Sequence, residues 1–227
     1  MAGEISQDLL ARTRTCLNEP AAITWQDSEL YRYLVEAQRD LVGERLPDAA
    51  VWQCQEIVRG TWTNGVYEYS LPGDFLRARY AAIGGATLAA ATPAVYISLE
   101  EFNAMLANNY FGASKTNPFW SVDHNLLKFH SGSQNPDVAT YWLLYVRQPT
   151  DLSSTVDPEV ARIYEAALVD FAVSRAREQQ RNFGEAQRMM AHYKARVAAI
   201  CERYGGEGKA HQGVPGDPAY AKAAGGQ

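Results

Sequence analysis

The chain has 227 residues, 47% of them hydrophobic, enough to bury one ample core or two small ones without staples. Its formal charge of -5 argues against a protein that coats nucleic acid through net charge, since phosphate binding concentrates Lys and Arg. Cys16, Cys54 and Cys201 are far apart and form no CxxC pair, so neither a disulfide framework nor a structural zinc site is indicated. The start "MAGEISQDLL" is acidic where a signal peptide is basic, and the longest strongly apolar run, "YWLLYV", is too short to span a bilayer. A soluble protein of a reducing compartment is expected.

In "EISQDLLARTRTCL", Ile5, Leu9, Leu10, Thr13 and Leu17 roughly follow helical spacing, and Pro20 then punctuates the chain. A second helix is expected in "WQDSELYRYLVEAQRDL", with Thr24 and Asp27 near its start, Leu30, Tyr33, Leu34, Ala37 and Leu41 on one stripe, and Pro47 past its end. The polar side of that helix also carries large aromatics, which asks what such a face meets.

The period then shortens. "AVWQCQEIVRG" and "GVYEYSLP" read as strands joined by a hairpin turn at Asn64-Gly65, and Pro72-Gly73 end the second one. "LRARYAAI" and "AVYI" follow as extended segments, and Ser98 three positions before Glu101 makes a capping box for a brief helix carrying Leu99, Phe102 and Leu106. "NLLKFHS" and "VATYWLLYVRQP" are two more strands separated by "GSQNPD", and Pro149 closes the segment.

Helical spacing returns at "DPEVARIYEAALVDFAVSRAREQQR", where Asp157 is expected as N-cap and Pro158 at the first helical position. Val160, Ile163, Tyr164, Ala167, Leu168 and Phe171 form its apolar side. Gly184 is read as an interruption, after which Phe183, Ala186, Met190, Tyr193, Val197, Ile200 and Tyr204 alternate steps of three and four until "YGG" stops the helix. The remaining Gly-, Ala- and Pro-rich tail has little to bury and is expected to be disordered alone.

The expected fold is therefore α+β and mainly α. An antiparallel-type helical bundle is built from residues 1–47 and 150–204, a β-rich insertion covers 48–149, and a flexible tail over 205–227 docks on a partner.

Chemistry is sparse. His124, His130, His192 and His211 form no HExxH or close ligand pair, "GGEGKA" lacks the spacing of a phosphate loop, and no GxSxG occurs. No metal or cofactor is expected, and Asp123, His124 and His130 are the one cluster worth testing for catalysis. Two features ask for a partner instead. Between Arg175 and Arg203, the bases Arg175, Arg177, Arg181, Arg188, Lys194, Arg196 and Arg203 outnumber the acids Glu178, Glu185 and Glu202. The regular last helix also runs into a tail carrying Lys209 and Tyr220, a composition that orders only against added surface.

The segments "WQDSELYRYLVEAQRDL", "YSLPGDFLR" and "YVRQPTDLSSTVDPEVARIYEAALVDFAVSRA" together resemble the head-to-tail adaptor proteins of tailed bacteriophages, also called connector or head-completion proteins. The likeness covers about residues 5–204 and rests on the order and type of residues. It implies a structural virion protein of the neck, made in the bacterial host cytoplasm. A dodecameric ring would sit beneath the portal vertex, continue the channel for genomic DNA without gripping its sequence, and present a lower surface to a tail or nozzle protein. The last helix and tail would dock on the portal, making Arg188, Arg196, Arg203, Tyr204, Lys209 and Tyr220 candidate portal-binding residues. Tyr31, Arg32, Arg39, Arg175 and Arg181 would meet an adjacent subunit, because aromatics and Arg are favoured at such contacts. A neck or tail-terminator protein not docked on the portal is the alternative, and an enzyme using the Asp123 cluster a third.

Overall fold

The computed structural model describes residues 3–19, 22–46, 51–63, 66–107, 117–130 and 140–208, with the backbone alone described for Glu44 and 204–208. Pro20, Pro47, the Asn64-Gly65 turn, the "GSQNPD" connection and the tail that holds Lys209 and Tyr220 lie outside these residues. In chain order the helices are α1 (Glu4–Leu17), α2 (Asp27–Asp40), α3 (Leu99–Ala107), α4 (Glu165–Gln179) and α5 (Phe183–Gly208). The strands are β1 (Gln55–Gly60), β2 (Glu68–Ser70), β3 (Phe75–Ile83), β4 (Thr92–Pro93), β5 (Val95–Tyr96), β6 (Phe119–Asp123), β7 (Leu126–His130) and β8 (Tyr141–Arg147). They fall into two compact units, one drawn from Met1–Cys54 and Gln148–His211, the other from Gln55–Arg147.

In the first unit α2 is amphipathic, as its spacing requires: Leu30, Leu34, Ala37 and Leu41 are fully buried. Its N-cap is Gln26, two residues past Thr24, and the Gln26 N–H donates to Glu29 at 3.2 Å. The loop before it is tied by Glu19, which accepts N–H bonds from Ile23, Thr24 and Trp25. Past Asp40 the helix widens into a π turn over Leu41–Arg45.

The expected bundle is overturned. The chain has a mixed α+β fold with two four-stranded sheets, and its helices do not form a clear helical bundle. A bundle needs comparable helices each turning one stripe to a shared seam. Here α4 is buried on nearly all sides, from Ala167 through Ser174, and α1, α2 and α5 each pack against it. Arg12 of α1 donates to Glu165 at 3.0 Å, Tyr33 of α2 to Gln179, and Ser174 of α4 to the Ala186 carbonyl in α5 at 2.8 Å. Helical spacing reveals that a stripe will be buried, not what will cover it.

Three local expectations also change. Asp157 and Pro158 do not open a helix; a 3₁₀ turn at Arg162–Tyr164 leads into α4 instead. The Asp157 carboxylate accepts N–H bonds from Gly3 at 3.1 Å, Ile5 at 2.9 Å and Ser6 at 3.0 Å, so it caps α1 from the far end of the chain. Gly184 lies inside α5. The break comes before it, where Arg181 takes a left-handed φ of 60° and Asn182 accepts the Glu185 N–H at 3.4 Å. Finally, α5 passes through "YGG" to Gly208.

In the second unit the sheets have the orders β1-β8-β3-β4 and β2-β7-β6-β5. The expected hairpin of β1 with β2 is absent: β1 pairs antiparallel with β8, Gln55 opposite Val146, while β2 pairs with β7, Tyr69 opposite Leu127. "NLLKFHS" and "VATYWLLYVRQP" likewise separate into different sheets. The tight hairpin is β6 to β7, turning at His124 and Asn125 with His124 at φ 54°. The inner faces meet in one core of Ala81, Ile83, Trp120, Leu127, Phe129, Tyr141, Leu143 and Tyr145, which uses alternate residues of β7 and β8 as a pleated strand must. The capping box of α3 is formed, Glu101 N–H to Ser98 Oγ at 3.2 Å and Ser98 N–H to Glu101 at 3.0 Å.

Candidate functional site

The polar side of α2 and the segment Asp151–Ser154 form the two walls of an open groove of about 760 Å³, lined by Asp27, Ser28, Tyr31, Arg32, Val35, Glu36, Arg39, Asp151, Leu152, Ser153 and Ser154. Helical spacing puts Tyr31, Arg32, Val35 and Arg39 on one side because three- and four-residue steps return to the same face. The opposite wall is suspended from both flanking helices. Gln38, fully buried, donates to the Thr150 carbonyl at 3.0 Å and accepts the Glu159 N–H at 2.9 Å. From α1, Gln7 donates to the Ser154 carbonyl at 3.0 Å, Ser6 donates to the Val156 carbonyl, and the Asp157 cap closes the segment. Those N–H groups hold the Asp157 carboxyl below its usual range against the opposing effect of burial.

Most groove charges are matched inside the chain. Arg39 donates to Asp151 at 2.6 Å and, with the Gln148 amide turned to face it, to that oxygen at 2.9 Å from two nitrogens. Glu36 accepts from Arg175 at 2.6 Å, and Arg175 also reaches Glu178 at 3.0 Å while lying over the Phe171 ring at 5.1 Å. Asp27 pairs with the buried Arg14. Arg32 is different: it is exposed, its guanidinium lies 5.3 Å from the Tyr33 ring, and among the described residues it has no carboxylate partner. The Tyr31 hydroxyl is closed off from solvent with no hydrogen-bond partner among the described residues. Burial first, and then Asp27, raise its pKa.

Of the expected adjacent-subunit residues, the groove thus gathers Tyr31, Arg32 and Arg39 and holds Arg175 through Glu36. Arg181 stands apart, exposed in the turn between α4 and α5. The wall residues Asp151 to Ser154 were missed because a short polar loop has no periodicity. A usable signal was present, since "PTDLSST" leaves Leu152 as one apolar residue among polar ones, and it is buried.

On α5, Arg188 is 65% exposed and 3.6 Å from Glu185, whereas Arg196 donates to Asp170 at 2.6 Å. Arg177 also meets Glu185, at 3.2 Å. The basic excess read from the sequence is therefore partly neutralised, and among the described residues Arg181, Lys194 and Arg203 are the members without a carboxylate partner. Tyr204 lies on α5, with only its backbone described, and Lys209 and Tyr220 are outside the described residues. Phe183, read as an apolar seam position, is exposed instead.

The Asp123 cluster does not converge. Asp123 pairs with His124 at 2.7 Å and with the buried Lys128 at 2.9 Å, and Lys128 also meets Glu68 at 3.2 Å. His130 is at the other end of the hairpin, opposite Phe119, with its ring 5.4 Å from Tyr67 and 6.4 Å from Phe102. Asp123 is opposite Leu126, so four residue steps at roughly 3.3 Å each separate the two histidines' ends of the ladder. No group of three or more His, Cys, Asp or Glu among the described residues is placed to hold a metal ion. No helix among them is long and apolar enough to cross a membrane.

By fold this is a two-unit α+β protein, and its groove offers ring and arginine surface of the kind favoured at protein contacts. Residues 6–216 match the family described as SU10 adaptor protein. The chain belongs to this family of phage head-tail adaptors, which are structural proteins of the virion. No curated protein matches the chain.

Proposed function

We propose that the protein is the adaptor that joins portal to tail: copies form a dodecameric ring under the portal, extend the DNA channel and attach the tail or nozzle protein. The observation that carries this reading is the family match, which spans both units of the chain. The groove on α2 supports contact between neighbouring copies, with Tyr31, Arg32 and Arg39 facing the next subunit. The exposed side of α5, with Arg188 and Arg203, supports docking on the portal together with the tail that follows it. Net charge of -5 suits a passage along which DNA slides without being gripped.

Chromatography with light scattering, on the chain alone and mixed with portal, tests the reading together with a protein inventory of purified virions. Association with portal and presence in virions are expected. A chain that does neither is not an adaptor, whereas a monomer in isolation is compatible with a ring that needs the portal as template.

A further inference from the structure

Of the four sheet edges in the second unit, three are blunted and one is not. β2 has three residues, β4 and β5 have two each, and β4 contains Pro93, whereas β1 runs for six residues in unbroken register with β8. The main-chain groups of β1 alternate in direction. The Gly84 N–H donates to the Thr140 carbonyl at 2.8 Å, so Thr140, Trp142 and Leu144 turn their N–H and C=O groups to β3, and Tyr141 and Leu143 turn theirs to β1. Gly60 and Val58 stand opposite those two and are the paired residues, which leaves Ile57 and Arg59 with their main-chain groups at the open edge. Among the described residues no strand pairs there. Charged side chains commonly guard such an edge, but both charges of β1 are turned inward. Glu56 accepts the Tyr145 hydroxyl at 2.9 Å, and the Arg59 guanidinium lies 5.3 Å from the ring of Trp142, its neighbour on β8. Ile57 is 51% exposed, Arg59 shares its face of the sheet without a carboxylate partner among the described residues, and Val58 between them packs against the sandwich core.

We propose that β1 receives an extended arm of the tail-side protein as an added strand, hydrogen-bonded to the main chain of Ile57 and Arg59, with a carboxylate beside Arg59 and apolar residues beside Ile57 and Val58. Main-chain pairing supplies the affinity of such a contact, and the side chains flanking it set the sequence that fits. This rests on the adaptor reading and assigns a surface to tail attachment, which that reading leaves open. A second copy is a poor occupant. β1 laid against β1 is an isologous contact that closes on two copies and does not repeat around a ring, and the chain's other edges are too short to match six residues. Portal contact is assigned to α5 and contact between copies to the α2 groove, so the tail-side protein is the remaining partner for this edge.

A photo-crosslinker at the exposed edge position, Ile57→p-benzoylphenylalanine, tests it in assembled particles. The expected product joins β1 to an Asp- or Glu-bearing segment of a tail or nozzle protein. A product with portal, with another copy or within the chain itself, or no product, overturns the proposal. Absence of the chain from particles would instead overturn the adaptor reading, so the two failures are distinct. A synthetic peptide of the crosslinked segment is then titrated onto the purified chain. Ile57→Ala trims the side chain and keeps the N–H, whereas Ile57→Pro also removes an N–H that the sheet does not use, so both are expected to fold. The peptide is expected to bind Ile57→Pro about 2- to 10-fold more weakly than Ile57→Ala, and equal binding would contradict main-chain pairing. Amide exchange of the wild-type chain needs no variant: the peptide is expected to slow exchange at Ile57 and Arg59, and unchanged rates at both would overturn the assignment.

Discussion

Asp157 illustrates how a residue can be read correctly for its chemistry and wrongly for its address. Asp followed by Pro is a helix-start signal because a carboxylate satisfies free N–H groups and proline presets the first helical φ. The carboxylate does satisfy such groups, but they belong to Gly3, Ile5 and Ser6. Gly3 has a φ of +86°, and a Cβ there would fall 2.1 Å from the Ser154 carbonyl oxygen, so the close approach of these two segments depends on glycine. Asp157→Ala should lower the thermal midpoint by several degrees and raise amide exchange in both the first turn of α1 and residues 151–156. Exchange changes confined to the α4 start would point back to the local reading. The same group gives a pH signature. Its folded pKa lies below the ordinary 3.8, so its contribution is full above that value and disappears as pH falls through the lower folded value. Glu19, held below 4.5 by the N–H groups of Trp25, Thr24 and Ile23 despite burial, acts in the same direction. Denaturant midpoints should therefore fall as pH is taken from 5 toward 3, roughly the range in which unperturbed carboxylates titrate, and Asp157→Ala should flatten that fall. An unchanged slope in the variant would remove Asp157 as a source.

The elements themselves were more legible than their pairing. The apolar stripe of α2 and the capping box of α3 are local patterns, and local patterns survive folding. Pairing is not local: β1 meets β8 about ninety positions away, with Gln55 opposite Val146, and no turn residue records that choice. The Asn64-Gly65 signal is strong in itself, yet the strands on either side each find a longer-range partner, because each sheet must bury its alternate residues in the common core. For the groove, the sequence supplied the α2 wall and not the loop wall, since "DLSS" is positioned by buried Gln38 and by the start of α1 and not by its own spacing. The central place of α4 was hidden for a related reason: Ala167, Ala172 and Ala176 are small enough to let other helices approach, and a run of alanines shows no stripe. Leu168, fully buried, marks that position, and Leu168→Ala should cost about 2–5 kcal/mol, measured by denaturant titration of the helical unit. A loss below about 0.5 kcal/mol, the size typical of surface substitutions, would show that α4 is not the core of this unit.

At the scale of the molecule, family membership fixes the setting, a phage head-tail adaptor, and leaves the division of labour between the groove and α5 as the proposal. The two surfaces separate experimentally. Removing residues 205–227 should abolish attachment to portal while leaving contacts between copies through the α2 groove intact, and co-sedimentation with portal set against crosslinking between copies reads out both. Loss of the contacts between copies alone would reverse the assignment, and an unaffected portal attachment would favour a neck or tail-terminator protein. The most direct measurement is a cryo-EM reconstruction of the neck of the purified virion at side-chain resolution. The account predicts a closed ring of this chain between portal and tail, with the α2 groove of each copy covered by the next. A neck without this chain, or a ring whose α2 groove opens to solvent, would contradict it.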